Sequence, residues 1–594
     1  MRTRLIIATS ILCVLLTYGS MAARAQDVAA EAPGNAVDIV WGVKIPLRDG
    51  VRLNAVVIKP KEMKEPPPTI FALTPYGASE VGLIQTAAYF AQNGYVFAAV
   101  DSRGRGNSEG RFEPYVNEGP DGYDITEWLA RQPWSNGKVA MWGISYLGID
   151  QWSTLKEFPP HLKTIVPTAT SRIGLDYPWR NNVGQPRGLR FVLQTSGRTQ
   201  NVSPASFWIE KYQELYRKHL PFKDFDIMVG ERSTLFQKWV AHPTPDAYWD
   251  AIAPAPDDYR RVNIPILALD GYYDVAQPGL MDYYRQLMQY GNPSVTARHY
   301  LILGPWEHGG TLHRTTEVGG LKFAEASATP VPEIHKEWFD WVLKDGRKPE
   351  FLKGRVTYYV PGAEVWKGAD SLAAISHTRR ILYLDSTNGV ANDVFHSGGL
   401  SEEKPGALAP DHYVYDPLDV RPAELERQEI TNYLTDQRFA LNLFGNGLVY
   451  HSEPFREDTE VTGNLQLVVW IAMDVPDTDF EVSVDEIRLD GSAVHLTDDL
   501  MRARYRDSLT QAKLVKPGEI NRYEFAGFNF FSRRIARGSR LRLVLKCENS
   551  INWEKNYNSG GVVAEESGKD ARTAHITLYH DSEHPSHLEI PVVE

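Results

Sequence analysis

The chain has 594 residues, of which 43% are hydrophobic and 23% charged, ordinary values for a folded protein that exclude wholesale disorder. The net charge is −12 and no run of Lys and Arg occurs, which argues against nucleic acid as a partner. Aromatic residues reach 11%, with 15 Trp and 29 Tyr, as expected for large packed surfaces or an aromatic-lined pocket.

In chain order, residues 1–25 read as a signal peptide. Arg2 and Arg4 give a positive start, residues 5–16 form an apolar core too short to span a bilayer, and Ala23-Arg24-Ala25 is a small-x-small cleavage signal. Cleavage is expected before Gln26, with export to the periplasm or beyond. Losing the segment's three arginines takes the net charge from −12 to −15. Cys13 leaves with the segment and Cys547 remains alone, so no internal disulfide is expected and the core must hold the fold. No later run of about 18 apolar residues occurs, so no membrane association is expected after cleavage.

Residues 37–58 read as paired strands turning at Arg48-Asp49-Gly50. Strands follow at 69–73, 95–100, 139–142 and 164–167, interleaved with helices at 87–93 and 123–132. Strands alternating with helices predict a mostly parallel sheet covered on both faces, an α/β class. From 172 to 254 the chain is rich in Trp, Tyr and Arg and lacks good strands, and it reads as a helical cap inserted over the sheet. Sheet logic resumes at 264–270 and 299–303, with a helix at 333–343. After 346, short alternating strands at 356–360, 380–384, 465–472, 540–545 and 575–579 carry a β-sandwich or jelly-roll signature. The division is therefore 37–171 and 255–346 for an interrupted α/β domain, 172–254 for the cap and 347–594 for the jelly-roll.

The chemistry centres on Gly143-Ile144-Ser145-Tyr146-Leu147-Gly148. A Ser on a sharp strand-to-helix turn needs small neighbours so that its hydroxyl stands clear of the sheet. Here the second Gly comes one residue later than in the usual G-x-S-x-G. Ser is a poor nucleophile at neutral pH and needs a base, which needs an orienting acid. The base candidate is His308, in a glycine-flanked loop after a strand, with His313 as fallback. The acid candidates are Asp274 and Asp270, and spacing alone does not choose between them. One oxyanion donor is expected at the N–H of Tyr146, the residue after the nucleophile. The loop Thr74-Pro75-Tyr76-Gly77 offers the Tyr76 hydroxyl as a second.

At these residues the sequence resembles the bacterial cocaine esterase and α-amino-acid ester hydrolase family, related to the X-Pro dipeptidyl-peptidases. The matching elements, in family order, are Thr74-Pro75-Tyr76-Gly77, the stretch from Asp101 to Gly110 (DSRGRGNSEG), the Ser145 motif, Gly271-Tyr272-Tyr273-Asp274 and Gly304-Pro305-Trp306-Glu307-His308-Gly309. Asn556-Tyr557-Asn558-Ser559-Gly560-Gly561 resembles that family's β domain. The resemblance implies an α/β-hydrolase domain with a helical cap and a C-terminal jelly-roll. It also implies Ser145 as nucleophile, His308 as base, Asp274 rather than Asp270 as acid, and Tyr76 and Tyr146 as the oxyanion hole. No cofactor is implied, and the Asp101–Gly110 loop is read as a structural tie near the site. The sequence departs from the family at Ala276 and Gln277, where the α-amino-acid ester hydrolases hold acids for the substrate ammonium.

The expected activity is an exported serine hydrolase acting on a small-molecule ester or amide. An X-Pro dipeptidyl-peptidase uses the same triad and is the main alternative; an α-amino-acid ester hydrolase is weakened by Ala276 and Gln277, unless a cap acid such as Asp176 meets the amine. A non-catalytic binding protein is disfavoured because Ser145, Asp274 and His308 are all present. His580, His584 and His587, with Asp581 and Glu583, lack a zinc-ligand framework and read as a solvated terminal loop. The aromatics Tyr177, Trp179, Trp208, Tyr212, Trp239, Tyr248 and Trp249 either line an acyl pocket or pack the cap. A homo-oligomer is left open.

Overall fold

The computed structural model describes residues 36–594 apart from 312, 314, 388, 429 and 443, so the predicted signal peptide lies outside the described residues. The first sheet begins with β1 (Val37–Pro46) and β2 (Arg52–Pro60), an antiparallel pair. Their turn is closed by Gly50 N–H donating to Leu47 O at 3.0 Å, with Gly50 at φ +88°. β3 (Thr69–Thr74), β4 (Val96–Asp101), β5 (Val139–Ile144) and β6 (Leu162–Thr168) follow, alternating with helices Val81–Gln92, Glu118–Ala130 and Tyr146–Leu155. Both early helices start several residues before the periodicity predicts. Glu80 caps the first, its carboxylate accepting from Leu83 N–H at 2.8 Å, and Pro120 lies in the opening turn of the second.

Between β6 and the next long strand the chain inserts two dipeptide strands, β7 (Trp179–Arg180) and β8 (Val183–Gly184), and six helices from Arg187 to Arg261. The sheet then resumes with β9 (Ile266–Gly271) and β10 (His299–Gly304). A dipeptide hairpin, β11 (Glu317–Val318) and β12 (Leu321–Lys322), precedes the long helix Val331–Leu343. The sheet order is β1-β2-β4-β3-β5-β6-β9-β10-β13-β14, where β13 is Val356–Val360 and β14 is Val365–Ala369. From β4 to β13 all pairings are parallel. β3, β4, β9 and β10 are buried along their whole length, as a parallel sheet covered on both faces requires.

Strand 356–360 corrects the sequence reading. It was expected as the first strand of the all-β half, but it pairs in parallel with β10 (Leu301 opposite Val356) and extends the first sheet. Its pattern VTYYV is buried throughout, which alternation alone could not assign to one sheet or the other. The C-terminal half forms a second sheet of 13 strands, antiparallel except where Gly398–Ser401 meets Gly447–Ser452. The lone Cys547 is buried there as a free thiol.

The terminal histidines also need correcting. His580 is wholly buried, with Nε2 3.0 Å from Asp411 Oδ2, and Tyr450 donates to the same carboxylate oxygen at 2.7 Å. His584 sits by Asp581 and His587 by Glu589, so the three point to different partners. Among the described residues no group of three or more His, Cys, Asp or Glu is arranged to hold a metal ion. Nor is any described helix long and apolar enough to cross a membrane.

Candidate active site

Ser145 stands between β5 and helix Tyr146–Leu155 at φ +60° and ψ −123°, a conformation rare for a side chain-bearing residue. The two glycines make this turn feasible. A Cβ on Gly143 would come 2.3 Å from Leu147 Cβ, and one on Gly148 would come 2.0 Å from Thr170 Oγ1. The later position of the second Gly thus reflects close packing of the new helix on the loop after β6. Ser145 N–H donates to Thr168 O at 3.0 Å, anchoring the elbow to the end of β6. Its side chain is half-buried and makes no hydrogen bond among the described residues.

His308 follows β10 and Asp274 follows β9. The two loops are tied together, with Tyr272 N–H donating to Gly304 O at 2.9 Å and Tyr273 N–H to Trp306 O at 3.1 Å. This brings His308 Nδ1 to 3.0 Å from both carboxylate oxygens of Asp274. Asp274 is fully buried and also accepts from Ala276 N–H at 2.8 Å, whereas the His308 side chain is 41% exposed. Burial works against charge on both groups, but each stabilises the other: the Asp274 carboxyl is held below its ordinary value and the His308 imidazole is raised above its own. A donor Nδ1 leaves Nε2 as a free base.

Asp270, the competing acid, lies at the end of β9 and does not reach His308. It is wholly buried, one oxygen accepts from Gly271 N–H at 2.7 Å and the other has no hydrogen-bond donor. Burial, reinforced by the neighbouring Asp274 charge, pushes its carboxyl well above the ordinary range. His313, the fallback base, is exposed.

As first residue of its helix, Tyr146 has an N–H without an intrahelical acceptor. Its buried hydroxyl donates to Glu118 and accepts from Tyr115 N–H at 3.1 Å, fixing the ring. Tyr76 packs edge-on against that ring, with centroids 6.2 Å apart. Burial, with Asp150 as a lesser cause, raises the Tyr76 phenol far above its ordinary range, so its hydroxyl remains a donor. The Tyr76 loop is held by the stretch that follows β4. Asp101 accepts from Ala78 N–H at 2.6 Å, and the buried Arg105 donates to Pro75 O at 2.7 Å and to Thr195 O of the insertion at 2.7 Å.

Sequence reasoning did not identify Tyr115, Phe191, Glu118 or Asp150 near the site. Tyr115 stacks on Tyr146 at 4.7 Å and Phe191 stacks on it at 5.9 Å, with Trp239 and Tyr177 against Phe191 at 6.3 and 6.1 Å. Trp179 instead packs on Phe222, and Trp208 on Tyr212, inside the insertion. The aromatic group therefore divides between a wall beside Tyr146 and internal packing. Asp176 is buried; one carboxylate oxygen accepts from Gly279 N–H at 2.8 Å and the other has no hydrogen-bond partner.

An elbow serine, a carboxylate–imidazole pair and the Tyr76 phenol gather at one edge of a parallel sheet, the architecture of a serine hydrolase on an α/β-hydrolase fold with a C-terminal β domain. Residues 49–310 match the family X-Pro dipeptidyl-peptidase (S15 family), and residues 345–589 match the X-Pro dipeptidyl-peptidase C-terminal non-catalytic domain. The chain belongs to this family, which it shares with the cocaine esterases. The cocaine esterase of Rhodococcus sp. (strain MB1 Bresler) is 28% identical over 586 residues, covering 94% of this chain and 99% of that one. Among solved structures, an α-amino acid ester hydrolase superposes with a TM-score of 0.81 at 23% identity, covering 95% of this chain and 98% of its own. An aminopeptidase from the marine sediment archaeon Thaumarchaeota archaeon gives 0.79 at 22% identity, covering 94% and 97%. At these identities the two structures speak for the fold alone.

Proposed function

We propose that the protein is an exported serine hydrolase that cleaves a carboxylic ester or amide through an acyl-enzyme on Ser145. The observation that carries this reading is the His308–Asp274 pair standing at the same sheet edge as the strained Ser145 turn. His308 Nε2 takes the Ser145 proton as Oγ bonds to the substrate carbonyl carbon, and the carbonyl electron pair moves onto oxygen. The Tyr146 N–H and the Tyr76 hydroxyl stabilise that oxyanion. Collapse expels the alcohol or amine, which takes the proton from His308, and water releases the acyl group by the same route. Asp274 keeps the imidazole in the productive tautomer and stabilises its charged form. The mechanism invokes no cofactor or metal, and the partner is a small-molecule ester or amide.

In this reading the helices of the insertion (172–254) form a cap, the two α/β segments (37–171 and 255–346) together with β13 and β14 one catalytic domain, and the chain after Ala369 a jelly-roll. Export rests on residues 1–25 and predicts a mature chain beginning at Gln26, which N-terminal sequencing of protein recovered from outside the cytoplasm would check.

The test is intact-mass analysis after exposure to a fluorophosphonate, followed by turnover of p-nitrophenyl esters and X-Pro anilides. One adduct on Ser145 is expected, and Ser145→Ala should take no adduct and lose about 10⁶-fold in kcat. A folded wild type that takes no adduct would overturn the reading. Turnover of X-Pro anilides above esters would make the protein a dipeptidyl-peptidase, the alternative that the family match supports.

A further inference from the structure

Helix Arg187–Gln194 lies beside the Tyr146 wall. Arg187 precedes Phe191 by four residues and so shares its face. The Arg187 guanidinium lies 5.4 Å from the Tyr177 ring centroid, and Tyr177 packs edge-on against Phe191. Its charge is felt at the reaction centre, lowering the basicity of His308 and being itself favoured by Asp274. Arg190, on the adjoining turn of the same helix, acts with Arg187 on Tyr177 and Tyr212.

Both arginines are half-buried, and neither has a counter-ion. Among the described residues no carboxylate lies within 4.0 Å of either guanidinium; Arg187 donates only to the neutral Gln185 amide, and Arg190 to nothing. The other partly buried arginines nearby are handled differently: Arg172 is paired with Asp282, and Arg180 with Asp498 at 2.7 Å. Asp176, the acid that most favours Arg187 after Tyr177's phenol, is itself driven toward its neutral form by burial. Gln277 is turned away, donating to Gly271 O at 3.0 Å and Phe530 O at 2.9 Å and accepting from Phe530 N–H at 2.7 Å, and Ala276 brings no charge. Taking a guanidinium partly out of water without pairing it is unfavourable, and an arriving anion removes that penalty.

We propose that Arg187, assisted by Arg190, binds a carboxylate carried by the substrate near its scissile carbonyl, so that the preferred substrates are anionic esters or amides. This rests on Ser145 being the nucleophile. Guanidinium suits the role because its planar fork matches a carboxylate with two parallel hydrogen bonds.

The experiment compares isosteric pairs. On the acyl side these are the p-nitrophenyl monoester of glutaric acid and its terminal amide; on the leaving-group side, 4-carboxyphenyl and 4-carbamoylphenyl butyrate. In at least one pair kcat/KM should favour the anion by about 10- to 100-fold, the size of one charge-assisted hydrogen bond. Arg187→Gln should collapse that ratio, Arg190→Gln should reduce it, and Arg187→Glu should invert it. Fluorophosphonate labelling of each variant reports that Ser145 remains reactive. A labelled wild type that turns over the amides with a ratio near one in both pairs, or a ratio unmoved by Arg187→Gln and Arg190→Gln, overturns this inference alone. A wild type that takes no label overturns the hydrolase reading and this inference together.

Discussion

Where the insertion meets the C-terminal half, Arg502 donates to Asp479 at 2.8 and 2.9 Å, to Glu554 at 2.7 Å and to Asn182 O at 2.8 Å, all of them buried. Arg180 and Asp498 close a second pair in the same seam, and Glu554 N–H donates to Gly184 O at 2.8 Å. At the catalytic edge the rule is the opposite. Ser145 is strained and its hydroxyl is unbonded, His308 is half-open to solvent, Asp270 carries an oxygen with no donor, and Arg187 lacks a counter-ion. The seam sets an opposite charge against each of these charges, although Glu554 Oε2 is left without a hydrogen bond. The edge leaves donors and acceptors unspent, which is what a site needs if an incoming molecule is to complete them.

Substitutions can break or sharpen this contrast. With Ser145 left in place, the largest effect is expected at Asp274→Asn, which keeps the shape and removes the charge. On the proposed mechanism kcat falls by about 10⁴-fold because the imidazole loses its orienting partner. The pH profile moves as well. Asp274 raises the His308 pKa, and the base must be neutral, so activity is lost as pH falls through that raised value. Removing the carboxylate lowers the His308 pKa and shifts the acid limb of kcat/KM to lower pH. A limb that stays in place would show that another group titrates there.

At the seam, Arg502→Ala strands Asp479 and Glu554 as buried charges and should destabilise by about 3–5 kcal/mol, read by denaturant or thermal unfolding. The folded fraction should keep its kcat, since Arg502 touches none of the catalytic groups. Loss of kcat with unchanged stability would erase the distinction between the two regions. Tyr76→Phe comes next, with kcat reduced by about 10²–10³-fold if its hydroxyl is an oxyanion donor, and with little change in unfolding. Asp270→Asn should do least, leaving kcat within the same order of magnitude, because burial already favours the neutral form of that carboxyl and Asn preserves its shape. A large loss there would mean that Asp270 works in its charged form.

Much of the architecture was written in local pattern. The Asp49-Gly50 turn, the apolar runs of the parallel strands and the Gly-flanked Ser145 elbow all depend on neighbours close in sequence, where periodicity and backbone sterics are informative. The preference for Asp274 over Asp270 was not legible from spacing, because it turns on which of two acids, one at the end of β9 and one in the loop after it, faces the histidine that follows β10. The resemblance to a known family supplied that preference, and the geometry places Asp274 against His308. Burial of charge was the least legible property. Nothing local marks His580 as buried against Asp411, Glu118 as the acceptor for Tyr146, or Arg105 as the link between the Tyr76 loop and the insertion, since each depends on chain brought in from elsewhere. Val356–Val360 failed for the same reason: a fully buried strand carries no mark of which sheet will claim it.

That strand has a consequence for anyone who would treat the molecule as modular. β13 and β14 come from the stretch that reads as β domain, yet they close the far margin of the catalytic sheet. A truncation at 346 would strip β10 of its neighbour and expose a row of unpaired N–H and C=O groups, an edge primed to recruit another chain. The catalytic half is therefore not a cassette that ends where its alternation ends. A fragment or chimera meant to stay monodisperse has to carry the chain through Ala369.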